Sequence, residues 1–307
     1  MTSPPALVRT VLGDVRPEDL GVCDAHDHLF FASPVLPGQE LCDAAAAAAE
    51  LTAFREQGGG CVVQWTPYGL GRRAADLPRI SRDTGVHVVA ATGLHQAAHY
   101  APELPAELRK RPAEVFVAEL TTGIGTTGVR AGLIKVAGGF HALDAHARWT
   151  MTAAAAAHHA TGAPIAVHLE LGTGALDVLD LLCGELGVPA HRVILGHLNR
   201  SPDPVVQREA AASGAYLAFD GPSRAHHATD WRMPEAMRAL ADAGFGDRLL
   251  LGGDTTTAAA RSVAGGPGMP YLLRRVRPRL EHALGERLVA RILTENAGRA
   301  FAVARPS

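Results

Sequence analysis

Two histidines separated by one residue follow an apolar segment near the start of the chain, in "GVCDAHDHLFF" at residues 21–31. On a β-strand, side chains at i and i+2 point to the same side, so His26 and His28 would face one point in space. Neutral imidazoles are good ligands for zinc-like divalent ions. An ordinary turn that contains two histidines is the simpler explanation for an isolated pair, because short motifs match by chance. The rest of the chain has to decide between a metal site and such a turn.

The elements that would position these histidines alternate between short β-branched apolar runs and alanine-rich helical stretches, which is typical of a parallel α/β sheet. Strands are predicted at residues 20–26, 60–67, 86–93, 130–137, 163–170, 192–197, 214–220 and 248–254. The predicted helices include residues 42–58, 111–124, 144–162, 173–187 and 285–302. Eight such units without a linker predict a single domain over residues 1–307, a (β/α)8 TIM barrel.

Polar side chains stand at the ends of several predicted strands, where the active site of such a barrel lies. The candidates are His26, His28, Lys135 in "LIKVA", His168 in "IAVHLE", His197 in "ILGHLN" and Asp254 in "LGGDTT". Each has a plain structural explanation on its own, as an edge lysine, a core histidine or a helix cap. Together they favour a metal centre, since a buried lysine and a buried aspartate cost free energy unless they are paired or bind a metal.

Composition excludes several classes of protein. The 29 Lys and Arg against 31 Asp and Glu leave a formal net charge of -2, which provides no basic field for nucleic acid or an anionic membrane. The chain starts without a secretory signal, and no apolar run is long enough to span a bilayer, so we expect a cytoplasmic protein. The four cysteines form no CxxC pair, which gives little support to a disulfide framework or a thiolate zinc site.

The chain resembles the phosphotriesterase family of the amidohydrolase superfamily over nearly its whole length. The resemblance rests on "TVLGDVRPEDLGVCDAHDHLF", "GLIKVA", "VHLELGT", "VILGHLNR", "LLLGGD", "GGPGMPYLL" and "ILTENAGRAF". In that family the middle residue of the first histidine pair is usually Glu, where this chain has Asp27. The resemblance implies a binuclear centre of two divalent ions, with Zn²⁺ expected and Co²⁺, Mn²⁺ or Fe²⁺ as alternatives, and it suggests a homodimer.

The resemblance also implies a role for each candidate. His26, His28 and Asp254 would hold one ion, and His168 and His197 the other. Lys135, carboxylated on its amine by carbon dioxide, would bridge the two ions, and this carbamate would offset the metal charge. A hydroxide shared by the ions would attack the substrate, while Asp254 would orient it and take its proton.

One position departs from the family members best known for cleaving organophosphates. Those proteins have a histidine after the seventh strand, which relays the proton away from the aspartate of the eighth. This chain has "AFDGPSRAHH", with Gly221 where that histidine would fall. The relay is therefore in question. His226 and His227 lie further along the same loop and could replace it, although a solvated loop is their simpler role.

The metal site leaves the substrate open, because the same chemistry cleaves lactones, carboxyl esters, phosphotriesters and amides. Long connections at residues 94–112 and 255–285 are expected to form part of the rim. The substrate-contacting candidates are His95, Tyr100, Arg224 and Arg261, and the arginines would suit an anionic group, with Arg261 the first candidate.

Distant members of the family resemble lactonases or carboxylesterases, so a metal-dependent lactonase or carboxylesterase that acts on a small molecule is the leading prediction. Phosphotriester hydrolysis is the second, amide hydrolysis the third, and a metal-binding barrel without catalysis the last.

Overall fold

The computed structural model describes residues 6–100, 104–221 and 229–303. Its strands are β1 (Leu7–Thr10), β2 (Gly13–Val15), β3 (Val22–Asp27), β4 (Gly59–Gln64), β5 (His87–Val89), β6 (Ala91–Gly93), β7 (Leu133–Ala137), β8 (Ile165–His168), β9 (Val193–Gly196), β10 (Tyr216–Phe219), β11 (Leu249–Leu251) and β12 (Ala302–Val303).

The parallel strands follow one another around a barrel in chain order. Strands β3, β4 and β5 form one hydrogen-bonded set, and β6 through β11 form another. Strands β5 and β6 are the two halves of one predicted strand, interrupted at Ala90. At the other junction, the backbone N–H of Asp254, beyond the end of β11, donates to the carbonyl of His26 near the end of β3 over 2.8 Å. The predicted (β/α)8 barrel is confirmed, with every strand shorter than the sequence pattern suggested.

Helices occupy the connections between these strands. They are α1 (Ala44–Glu56), α2 (Leu77–Thr84), α3 (Ala106–Lys110), α4 (Pro112–Thr121), α5 (Ala145–Thr161), α6 (Ala175–Leu179), α7 (Pro204–Ala212), α8 (Met233–Leu240), α9 (Arg277–Leu284), α10 (Glu286–Arg291) and α11 (Ala297–Phe301). π-helical turns adjoin several of them, at Asp180–Glu185, Ala241–Phe245, Leu272–Val276 and Ile292–Asn296.

Aspartates and glycines fix several helix ends. The carboxylates of Asp43, Asp144 and Asp203 accept hydrogen bonds from backbone N–H groups in the first turns of α1, α5 and α7. Gly162 ends α5 in the left-handed conformation, at φ 72°. No helix among the described residues is long and apolar enough to cross a membrane.

A small antiparallel sheet outside the barrel was not predicted. Its strand order is β12-β1-β2, and Val8 in β1 lies opposite Ala302 in β12. These strands are two to four residues long, too short for a clear alternation of apolar and polar residues. Their pairing joins opposite ends of the chain, which only the tertiary structure specifies.

The apolar core has two layers. Residues such as Ala25, Val63 and Trp65 form a cluster with the other inward-facing strand residues, and Phe54, Phe116 and Met151 belong to a larger cluster that includes the helices. All four cysteines are free. Both layers hold the strands rigidly, so their carboxyl ends form a fixed frame for polar side chains.

Candidate metal centre

The six predicted ligands meet at one cavity. They come from or directly follow β3, β7, β8, β9 and β11, and all line a cavity of ≈ 360 Å³: His26, His28, Lys135, His168, His197 and Asp254. The i, i+2 spacing of the first pair directs both imidazoles to the same side, as the sequence predicted.

A first group of donors is formed by the histidine pair and the aspartate. Oδ1 of Asp254 lies 3.7 Å from His26 Nε2 and 3.5 Å from His28 Nε2. The other ring nitrogens have partners: Nδ1 of His26 donates to Asp220 over 2.8 Å, and Nδ1 of His28 donates to the Thr66 hydroxyl over 2.8 Å. With Nδ1 protonated, each Nε2 presents its lone pair beside Asp254.

A second group lies beside the first. Nδ1 of His168 and Nε2 of His197 are 2.8 Å apart. The opposite nitrogens are held by carboxylates, because His168 Nε2 donates to Glu170 over 3.0 Å and His197 Nδ1 donates to Asp220 over 2.6 Å. Two lone pairs therefore point at the same small volume, which is the arrangement that a shared cation stabilises.

Asp220 connects both groups and was missed by sequence reasoning. It is fully buried and accepts hydrogen bonds from His26 and His197. Burial opposes its ionisation, but the two imidazoles hold the pKa of its carboxyl well below the usual range. Asp220 follows β10, so the rule that located the other strand-end residues would have found it.

Glu170 was missed as well. It lies two residues after His168, and the hydrogen bond from that imidazole lowers the pKa of Glu170 to about 2. Its carboxylate also accepts from the side chain of Gln96 over 2.9 Å. Glu170 is thereby fixed as the anionic partner that orients His168.

Burial favours the neutral form of three of the imidazoles, and the neutral form is the one that binds metal ions. It lowers the pKa of His28 to about 4 and that of His168 to about 3, and it also lowers the pKa of His26. Lys135 is only 2% exposed, and burial lowers the pKa of its amine well below the ordinary value. Burial therefore favours the uncharged form of the Lys135 amine, which faces the same cavity as the imidazoles.

Two of the six residues have a strained backbone. His197 has φ 64° and Asp254 has φ 50°, in the left-handed region that residues other than glycine rarely adopt. Such strain costs about 1–3 kcal/mol per residue and persists where the surroundings over-determine the conformation. Here it directs both side chains into the cavity.

The donor set fits two divalent ions. One group supplies two imidazole nitrogens and a carboxylate, whose ligand atoms lie within 4.8 Å of one another, and the other supplies two facing imidazole nitrogens. Nitrogen and oxygen donors with hydrogen-bonded outer partners are typical of zinc-like sites.

The substrate-contacting candidates have different outcomes. His95 lines the cavity, with its ring centroid 4.6 Å from that of His168. Tyr100 does not line it, because its hydroxyl accepts from the backbone N–H of His95 over 2.7 Å and so positions that residue. Arg224, like His226 and His227, lies outside the described residues.

Arg261 requires a correction. Its side chain is buried, 2% exposed, and the guanidinium donates to the carbonyls of Leu29 and Asp43 instead of facing the cavity. This placement contradicts the expected contact between Arg261 and the substrate, because Nη1 and Nη2 of the guanidinium are directed at backbone carbonyls inside the protein. The loop arginine has a structural role.

Apolar and aromatic side chains also line the cavity. Phe31, Leu36 and Leu171 contribute apolar surface, and His99 stacks on His95 with ring centroids 4.2 Å apart. Arg200 is a cation in the wall that sequence reasoning did not single out. The sequence could have indicated Arg200, since it stands three positions after His197, close to the end of a predicted strand.

Comparisons with known proteins identify the family of this chain. Residues 6–301 match the phosphotriesterase family. A phospho-furanose lactonase of Mycoplasmopsis synoviae is 30% identical over 267 residues, 79% of this chain and 74% of the relative. An N-acetyltaurine hydrolase of Rattus norvegicus is 28% identical over 341 residues, 96% of this chain and 98% of the relative. The crystal structure of a lactonase from Listeria monocytogenes superposes with a TM-score of 0.89 at 27% identity, covering 97% of this chain and 99% of that one.

The chain therefore belongs to the phosphotriesterase family, as the sequence motifs predicted. It is a metal-dependent hydrolase that uses a binuclear centre, and the two groups of donors at the mouth of its barrel are the residues that fit this centre.

Proposed function

We propose that this protein hydrolyses a lactone or a carboxyl ester at the cavity above the barrel. The observation that carries the proposal is the pair of facing donor groups, His26, His28 and Asp254 on one side and His168 and His197 on the other, with Lys135 in the same wall. The relatives named as lactonases support the substrate class.

The residues named above would hold two divalent ions, with zinc the expected metal because imidazole and carboxylate donors suit it. When bound, such ions supply a hydroxide near neutral pH and polarise a substrate carbonyl. We also propose that Lys135 is carboxylated. Its burial among imidazoles supports this, since burial favours the uncharged amine, which is the form that adds carbon dioxide, and the resulting carbamate anion would offset the metal charge.

The chain's own residues have defined tasks in this reaction. Asp254 receives the proton of the attacking water and returns it to the leaving oxygen, which stays tethered in a ring-opened lactone. Asp220 and Glu170 keep the imidazoles in the correct tautomer. His95 lies at the wall beside His168, within reach of a substrate.

Amide hydrolysis is a second candidate. The observation in its favour is the near full-length match to the N-acetyltaurine hydrolase, whereas the phospho-furanose lactonase matches over 79% of this chain. An amide requires a proton on its leaving nitrogen, and Asp254 is placed to supply it as well.

The deciding experiment compares kcat/KM for γ- and δ-lactones, aryl esters, N-acetyltaurine and a paraoxon-type phosphotriester on one metal-loaded preparation. We expect the highest kcat/KM for the lactones or the esters. A tenfold margin for the phosphotriester or the amide, about 1.4 kcal/mol in transition-state stabilisation, would reverse the order of the proposals.

Metal content tests the centre independently of the substrate. Elemental analysis of protein prepared without chelators should give close to two divalent ions per chain. His168→Ala should lose mainly one of them, because it removes a donor from the second group only. A value near zero for metal-replete wild type would contradict the binuclear site. A cytoplasmic location and a homodimer stay predictions.

A further inference from the structure

The space above Gly221 is filled by an arginine. Gly221 follows β10 and has φ 70°, and a Cβ placed there would lie 1.9 Å from Nη2 and 3.1 Å from Cζ of Arg200. The same Cβ would lie 3.6 Å from Oδ2 of Asp254. Any side chain at this position would therefore displace the guanidinium from beside the aspartate.

The arginine itself is held in place from the neighbouring loop. Its backbone N–H donates to the carbonyl of His197 over 2.9 Å. The preceding residue, Asn199, exchanges two hydrogen bonds with the backbone of Asp220, over 2.8 and 3.1 Å. The residues directly after β9 and β10 are thus joined by hydrogen bonds next to the point where Arg200 meets Gly221.

The guanidinium has one carboxylate close to it among the described residues. Its side chain is 5% exposed, and Nη2 lies 3.8 Å from Oδ2 of Asp254. Nε and Nη2 have no hydrogen-bond partner within that part of the chain. A buried cation is costly unless an anion compensates it, so the pairing with Asp254 explains why an arginine is tolerated at this depth.

The two oxygens of Asp254 face different neighbours. Oδ1 lies beside the Nε2 atoms of His26 and His28, whereas Oδ2 lies beside Arg200. A positive charge behind Oδ2 restrains rotation of the carboxylate and keeps Oδ1 directed at the imidazole pair.

We infer that Arg200 is a positioning residue for Asp254, and that glycine at position 221 is required because it leaves room for the guanidinium. A guanidinium has no lone pair to accept a proton and stays charged in proteins. Arg200 therefore places a permanent cation beside Oδ2 of Asp254. The inference rests on the proposed function, in which Asp254 would be a metal ligand and would handle the proton of the attacking water.

Zinc affinity tests the arrangement without reference to any substrate. Gly221→Ala should weaken one zinc site about tenfold in a chelator competition, since it displaces the guanidinium. Gly85→Ala is the matched control, because Gly85 has φ 66° and open space around its Cβ position, so it carries the backbone strain without the clash. The double variant Arg200→Met/Gly221→Ala should lose no more affinity than Arg200→Met alone. Equal behaviour of the two glycine variants, or additive losses, would overturn the inference.

Turnover of a neutral lactone supplies the second measurement. Arg200→Met should lower kcat about tenfold or more, with KM near the wild-type value. Arg200→Lys keeps a positive charge and should restore part of the lost kcat. It also provides the measurement if the methionine variant fails to fold. Arg79→Met, on the exposed face of α2, removes the same charge and should change neither constant. A rise in KM confined to anionic lactones would instead make Arg200 a substrate-binding residue and contradict the positioning role. If the wild type cleaves no lactone, the proposed function fails, while the zinc measurements still decide the role of Arg200.

Discussion

Single side chains behind the donors determine whether the centre can bind metal. Asp220 accepts from Nδ1 of both His26 and His197, so one carboxylate orients a donor in each group. Thr66 orients only His28, because its hydroxyl accepts from that ring and donates to the Phe30 carbonyl. Because Asp220 contacts histidines of both donor groups and Thr66 contacts a histidine of one, substitutions at the two positions should affect different numbers of metal sites.

Asp220→Asn should weaken both metal sites about 10–100-fold, since a neutral amide accepts less strongly from the two imidazole N–H groups and permits ring flips. Thr66→Val should weaken one site only, and by less. The measurement is competition against a chelator of known affinity for zinc. Loss at a single site in Asp220→Asn would show that the carboxylate does not serve both groups.

Lys135 provides the sharpest test of a bridging carbamate. Lys135→Ala should abolish metal retention and activity, and short carboxylates such as acetate or propionate should restore part of both by occupying the vacated volume. Lys135→Arg should remain inactive, because a guanidinium does not add carbon dioxide under these conditions. Full activity of the arginine variant would rule out the bridge.

At the scale of elements, the buried strands of the barrel stabilise the fold, and the residues at their carboxyl ends form the candidate site. The barrel strands are largely buried and lead to polar residues at one rim, while residues of the connections after them complete the lining of the cavity. The loop that follows β11 is anchored from α1: Glu50 is fully buried and accepts from the backbone N–H groups of Ser262, Val263 and Met269. This anchor also explains why nearby Arg261 points inward.

Glu50→Gln should destabilise the protein by about 1–3 kcal/mol, because one acceptor oxygen becomes an NH₂ group that faces backbone N–H donors. We expect a lower Tm and faster proteolysis within residues 255–271. Glu56→Gln, near the end of the same helix and exposed, is the control. Unchanged proteolysis in Glu50→Gln would mean that the loop is held by other contacts.

At the scale of the whole molecule, the concentration of buried titratable groups in one cavity makes stability depend on pH. Burial lowers the pKa of five histidines: His26, His28, His95, His99 and His168. Burial raises the pKa of Asp24 and Asp27, which opposes the histidines but involves fewer groups.

Metal-free protein should therefore lose stability as the pH falls from about 6.5 towards about 4. In that window the unfolded chain binds protons on histidines that the folded protein keeps neutral, so the free energy of unfolding rises with pH, by up to about 1.4 kcal/mol per pH unit for each such group. Thermal unfolding of metal-free protein at pH 7 and pH 5 measures this. His28→Gln should show a smaller difference, and identical Tm values for the wild type at both pH values would contradict the assignment.

The sequence by itself determined the barrel and the six ligand candidates. Apolar periodicity reports local burial, and parallel strands place their carboxyl ends at one rim, so a polar residue at a strand end has a predictable location. The family motifs supplied the roles of the six candidates found in this way: His26, His28, Lys135, His168, His197 and Asp254. Asp220 also lies at the end of a predicted strand, so the sequence was sufficient to predict that it belongs to the site.

Only the tertiary structure decided how the loop residues are used. Arg261 and Tyr100 were predicted to contact the substrate. In the structure, Arg261 donates hydrogen bonds to the carbonyls of Leu29 and Asp43, and the Tyr100 hydroxyl accepts one from the N–H of His95. Likewise, the sequence showed Gly221 only as the absence of a relay histidine. The structure shows that the guanidinium of Arg200 occupies the space where a side chain at position 221 would lie. These outcomes depend on contacts between segments far apart in the chain. A sequence pattern records which residues are buried or polar, but it does not record which distant donor satisfies which acceptor.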